Sequence, residues 1–113
     1  MNDIEERNAR IESTMLGTEG HGIMTAMLTL NYGGAGQGFG GYRLDSPRGP
    51  SAAMGLFVAR VLEVVGVETW EALKDKSVRV RADYSHIHAL GHYLDDKWFV
   101  PKVELARLVE ASR

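Results

Sequence analysis

The chain has 113 residues, 44% hydrophobic and 25% charged, with a formal net charge of −2 and no cysteine, which is one domain's worth of sequence with room for a single modest core. The charge balance excludes a global basic field that would draw it to duplex nucleic acid or an anionic membrane. The missing thiols exclude disulfides and thiolate chemistry and fit a reducing cytosol.

Residues 1–7 read as a polar lead-in, frayed at the domain edge. The acidic start Met1-Asn2-Asp3-Ile4-Glu5-Glu6 has no apolar core, so it does not read as a signal peptide. No apolar run approaches the 18 or so residues that cross a bilayer. Residues 9–16 alternate loosely and stop at Gly17, which predicts a strand, and Thr18-Glu19-Gly20 predicts a turn. In residues 21–32 the polar positions Thr25 and Thr29 have helical spacing. The bracketing glycines favour a strand buried on both faces.

Tyr32-Gly33-Gly34-Ala35-Gly36-Gln37-Gly38-Phe39-Gly40-Gly41-Tyr42 holds six of the chain's 13 glycines. Glycine frees the backbone but raises the entropy lost on folding. A simple hairpin needs only one or two, so six point to close approach by a ligand or another subunit. The expectation is a glycine-rich loop at the wide tip of a hairpin, with residues 39–45 as the third strand. Its N–H groups would form an anion cradle. Ser46-Pro47-Arg48-Gly49-Pro50 predicts a loop, and Ser51 a helix N-cap. A principal helix follows over 52–65, with Leu56, Ala59, Val61, Leu62 and Val65 apolar and Gly66 as its stop. A short second helix begins after Thr69, with Trp70 and Leu73 inward.

Residues 77–83 alternate cleanly, Val78, Val80 and Ala82 against Arg79, Arg81 and Asp83. Residues 86–94 predict a partner strand, Asp95-Asp96-Lys97 a turn, and residues 103–111 a closing helix. Trp70 and Trp98 read as core. The order of elements predicts a single α+β domain: a mainly antiparallel sheet, one principal helix packed on it, and the glycine-rich loop.

Gly36-x-Gly38-x-x-Gly41 has dinucleotide-fingerprint spacing, but a strand rather than a helix is expected after it, which argues against that use. Arg79 and Arg81 share one strand face. With Arg43 and Arg60 they are candidate phosphate ligands, the alternatives being a solvated face and an ordinary ion pair of Arg60 with Glu63 or Asp45. His86, His88 and His92 fall on one side in simple strand register. No Cys, Glu or Asp stands at ligand spacing beside them, so no metal is assigned, and they are placed facing a nucleotide or half-exposed on the sheet. Tyr32, Phe39, Tyr42, Tyr84 and Tyr93 are flat rings suited either to stacking on a nucleobase or to core and interface packing. No nucleophile elbow accompanies a histidine.

Ile11-Glu12-Ser13-Thr14, His21-Gly22-Ile23, the whole glycine stretch, Val61-Leu62-Glu63-Val64-Val65-Gly66-Val67 with Trp70, and Asp96-Lys97-Trp98-Phe99 together resemble a family of small bacteriophage proteins, the first-described Thoeris anti-defence sponges. The resemblance spans most of residues 9–100. It implies a non-catalytic protein without cofactor that acts in the cytoplasm of an infected bacterium. Such a protein sequesters cyclic ADP-ribose signals and, in some members, cyclic oligonucleotides. It also implies a homo-oligomer of dimers assembling into hexamers, with ligands between subunits. Carried onto this chain, the cyclic oligonucleotide site falls on the backbone around Gly34, Ala35, Gly36, Gln37 and Gly38 with Arg60, and Phe39 is a further candidate ligand residue. The cyclic ADP-ribose site falls on the 79–92 segment, with Arg79, Arg81, Tyr84, His88 and His92. Two other functions stay open on the residues themselves: a nucleotide-processing enzyme using the histidines, and an assembly or protein-inhibitor module in which the glycines permit subunit packing.

Overall fold

The computed structural model describes residues 3–43, 45–46, 49–50 and 52–111. The elements in order are β1 (Glu5–Thr18), β2 (Met24–Tyr32), β3 (Ala35–Gly40), β4 (Asp45–Ser46), β5 (Gly49–Pro50), α1 (Ala52–Val65), a 3-10 turn (Trp70–Leu73), β6 (Ser77–Ala82), β7 (Ile87–Gly91), β8 (Trp98–Phe99) and α2 (Pro101–Ala111). Six strands form one antiparallel sheet in the order β3-β2-β1-β6-β7-β8, and β4 and β5 pair separately. The α+β architecture with one main helix on an antiparallel sheet is as the sequence predicts. Among the described residues no helix is long and apolar enough to cross a membrane.

β1 is the axis of the sheet, and it divides its partners. Glu5 through Arg10 pair with β6, while Arg10 through Thr18 pair with β2. A bulge between Ile11 and Ser13 lies just past the changeover. Bulges bend the strand and increase its twist. The sheet accordingly coils until β3 meets β7, although three strands separate them in the ladder. The inner face of this trough carries Ile11, Leu28, Leu30, Phe39, Val78, Val80, Leu90 and Phe99, all fully or almost fully buried. α1 closes it with Phe57, Val61, Val64 and Val65. Phe39, Phe57 and Phe99 meet at centroid distances of 5.6–6.0 Å, two of the three contacts edge-on, geometry that aromatic quadrupoles favour.

Four expectations are corrected. Residues 5–7 are not frayed: Glu5, Glu6 and Arg7 pair with Ala82, Arg81 and Val80. β2 is not buried on both faces, because Ala26, Leu28 and Leu30 face the core while Met27, Thr29 and Asn31 stay partly exposed. The glycine-rich stretch is not a loop, and the third strand is not 39–45. Residues 35–40 are themselves β3, paired with β2 from Tyr32↔Ala35 to Met27↔Gly40. The tip is only Gly33-Gly34, with φ of +65° and +82°, the doubly left-handed turn that matches strand twist. Gly40 meets a different demand: at φ +101° a side chain there would strike Ala26 O and the Phe57 ring, each at 2.6 Å. Trp98 is not core either, for its ring lies over Gly91 on the outer face. Ser51 lies outside the described residues, as do Leu44, Pro47 and Arg48.

Candidate ligand-binding site

Where β1 overshoots the end of β2, three segments surround a cavity of about 480 Å³. The start of β1 supplies Asp3, Glu5 and Arg7, the β2–β3 tip supplies Tyr32, Gly33, Ala35 and Gln37, and the end of β6 supplies Ala82, Asp83 and Tyr84. Strand alternation explains the lining. Arg7 is opposite Val80 and Glu5 opposite Ala82, so both project to the inner face beyond the last core layer. Arg7 Nη2 contacts Glu5 Oε2 at 3.3 Å. A methyl placed on Gly33 would lie 3.5 Å from Arg7 Nη1, so the guanidinium rests against the bare turn. The Tyr32 hydroxyl donates to Gln37 Oε1 across the hairpin. Burial raises the Tyr32 phenol above its usual range, with Arg7 opposing and Asp83 adding to the shift. The fields of both charged groups therefore reach this ring. Tyr84 is 85% exposed and stands at the rim.

Asp83 is the most constrained acid. Its Oδ1 accepts from Ser85 N at 2.8 Å, Ser85 Oγ at 2.7 Å and His86 N at 3.0 Å, while Oδ2 is 2.9 Å from His88 Nε2. His88 first, then Ser85 and the two backbone N–H groups, hold its carboxyl far below the ordinary carboxylate range. His88 occupies the extra position where Arg81 pairs with Ala89 but Ala82 pairs with Ile87. The bulge turns its ring toward Asp83. The His86 and His88 rings stand 4.0 Å apart between centroids. One donor atom each from Asp83, His86 and His88 lies within 4.8 Å of the other two. The expectation that no acid stands beside these histidines is thus corrected by Asp83.

The residues assigned from sequence divide into separate places. Ala35, Gln37 and Tyr84 line the cavity, and His88 adjoins it through Asp83. Gly34 is in the hairpin turn. Gly36 and Gly38 lie on the outer face beside Glu12, Thr29 and Met27, and Phe39 is in the core at 2% exposure. Arg60 ties α1 to α2: its Nε contacts Glu104 at 2.7 Å, Nη2 donates to Trp98 O at 2.8 Å, and it also pairs with Glu63.

Arg79 and Arg81 are on the outer face. Their guanidinium carbons lie 5.0 and 3.8 Å from the Trp98 ring centroid, and Glu6 pairs with both. His92 does not join His86 and His88. Its Nδ1 accepts from Leu94 N and Asp95 N, which shapes the loop before β8.

Arg7 and Asp83 are cavity residues that the assigned set lacks. The signal for Arg7 is the alternation Glu5, Arg7, Ala9, Ile11, which continues the first strand upstream. For Asp83 it is the Asp-Tyr-Ser-His turn, whose acid can bond the backbone two residues on. No family model, no curated protein and no solved structure matches this chain.

Proposed function

We propose that this chain is a non-catalytic binding protein that sequesters a cyclic nucleotide signal of the cyclic ADP-ribose type in the mouth of its coiled sheet. In doing so it would blunt anti-phage defence in the cytoplasm of an infected bacterium. The observation that carries the reading is the cavity's mixed lining. One arginine against an uncovered turn, two tyrosine rings, an amide and three carboxylates surround a volume in the usual small-molecule range. Arg7 and the N–H groups of the turn suit a single diphosphate. Tyr32 and Tyr84 offer faces to a base. Asp3 and Glu5 can accept hydrogen bonds from ribose hydroxyls and base amino groups, while Asp83 is engaged by Ser85, His86 and His88. The three carboxylates disfavour a ligand with three separated phosphates, so cyclic oligonucleotides fit this cavity less well. A second site for them on the 34–38 backbone and Arg60 would have to draw Arg60 away from Glu63 and Glu104.

Calorimetric titration with cyclic ADP-ribose isomers and cyclic trinucleotides tests the reading, followed by recovery of the ligand from denatured protein. The expected result is tight binding of a cyclic ADP-ribose isomer that is recovered unchanged. Arg7→Ala should weaken it about 10–100-fold, the equivalent of one charge-assisted hydrogen bond. Binding of none of these compounds would refute the proposal. The second reading, nucleotide processing, has one observation in its favour: His88 is oriented by a carboxylate at the cavity rim. It predicts an altered ligand on recovery, and unaltered ligand from His88→Ala.

A further inference from the structure

We infer that Asp83, His86 and His88 form a binding site for a borderline divalent cation, zinc being the representative. The site stands apart from the cyclic nucleotide reading and needs no nucleotide to be tested. The donor set is two imidazoles and one carboxylate. Imidazole nitrogen selects zinc, nickel, copper or ferrous iron over magnesium and calcium, which prefer oxygen. The carboxylate of Asp83 supplies the negative charge that attracts a dication.

The geometry is largely built already. Asp83 Oδ2 and His88 Nε2 are 2.9 Å apart. The third donor completes a group spanning at most 4.8 Å. Tetrahedral ligands about 2.0–2.1 Å from zinc are separated by roughly 3.3 Å, a spacing that the present donor distances bracket. The backbone is fixed from both directions. Asp83 N donates to His86 O, and Asp83 Oδ1 takes three donors from Ser85 and His86. His88 is set by the β6–β7 bulge. Supporting hydrogen bonds of this kind orient ligands before metal arrives.

Two further observations favour a cation over a plain turn. The His86 and His88 rings are tilted 52° at 4.0 Å, with Asp83 the acid that pairs with both. A shared dication would engage a nitrogen of each ring. Three protein ligands also leave a fourth position open, the pattern of sites that hold water or a ligand on the metal. Asp83 and Tyr84 border the cavity, so the cluster adjoins it.

The test is calorimetric titration of the metal-free full chain with Zn²⁺, together with the visible spectrum on Co²⁺ addition. The expected result is one equivalent bound and the intense bands of low-coordinate cobalt. His86→Ala and His88→Ala should each weaken binding by about 100-fold or more, above the ~10–100-fold that losing a merely supporting contact costs. His21→Ala, whose ring pairs with Glu19 elsewhere, should leave it unchanged. A measurement on the unsubstituted chain guards against variants that fail to fold. Zn²⁺ should shift the imidazole NMR signals of His86 and His88 and spare those of His21 and His92. Absence of stoichiometric binding, binding that survives both alanine variants, or shifts confined to His21 or His92 would overturn the site.

Discussion

Gly91→Ala tests how the outer face is assembled. Gly91 pairs with Arg79 on one side and Trp98 on the other. A Cβ there would lie 2.6, 2.7 and 2.8 Å from three carbons of the Trp98 six-membered ring. Ordinary carbon contacts are about 3.5–4.0 Å, so the indole must retreat by about 1 Å or swing away. Gly91 is not among the residues with left-handed φ, so the collision acts without backbone strain. Overpacking of this kind costs about 1–3 kcal/mol. Losing the stacking of Arg79 and Arg81 on the ring, at about 0.5–1 kcal/mol each, falls within the same range. For a chain of this length the melting temperature should drop by about 4–12 °C. In a Trp70→Phe background, which leaves Trp98 as the one indole, the emission should shift as the ring leaves its seat. The cavity is on the inner face, so the cyclic ADP-ribose binding proposed for it should be unaffected. A melting temperature within about 1 °C of the parent with unchanged emission would refute the packing argument. Loss of ligand by a folded variant would move the site to the Arg79–Arg81 face.

Further outcomes follow from other contacts. Gly55 is an exposed helical residue with nothing within 4 Å of an added Cβ, so Gly55→Ala should raise stability by about 0.5–1 kcal/mol in denaturant titration. Arg60→Ala removes the link between α1 and α2. Its partly exposed pairs limit the loss to about 1–3 kcal/mol, and cavity binding should be retained in calorimetry. Burial raises the phenols of Tyr32 and Tyr42, so ultraviolet titration of the parent against Tyr32→Phe and Tyr42→Phe variants should show both ionising above the ordinary value of about 10. The native state then holds protons that the unfolded chain releases. This contribution to stability is complete below pH ~10 and declines as pH rises through the raised values.

How much the sequence disclosed varies by element, for physical reasons. β6 was legible because Val78, Val80 and Ala82 alternate with arginines, and one buried face imposes that period. α1 was legible from its apolar spacing and Gly66, which takes φ +87°. The glycine segment misled because composition cannot separate a loop from a strand with one side bare. Gly36 and Gly38 are ladder residues, while only Gly33 and Gly34 turn. The histidine register failed because a bulge inserts His88 and breaks the period of two, and a bulge has no simple signature. Arg7 and Asp83 are 76 positions apart, the difference of their numbers, and only β1–β6 pairing brings them to one cavity.

The divided allegiance of β1 has a consequence for how the molecule comes into being. Its later half finds β2 within a short hairpin, a local and fast event. Its earlier half must wait for residues 77–82 before it has a neighbour, and pairings this distant in sequence form slowly. During synthesis the β1–β2–β3 meander can therefore form first, while the other half of the hydrophobic floor, with Val78, Val80, Leu90 and Phe99, and the rim that would grip a small molecule are completed only with the last third of the polypeptide.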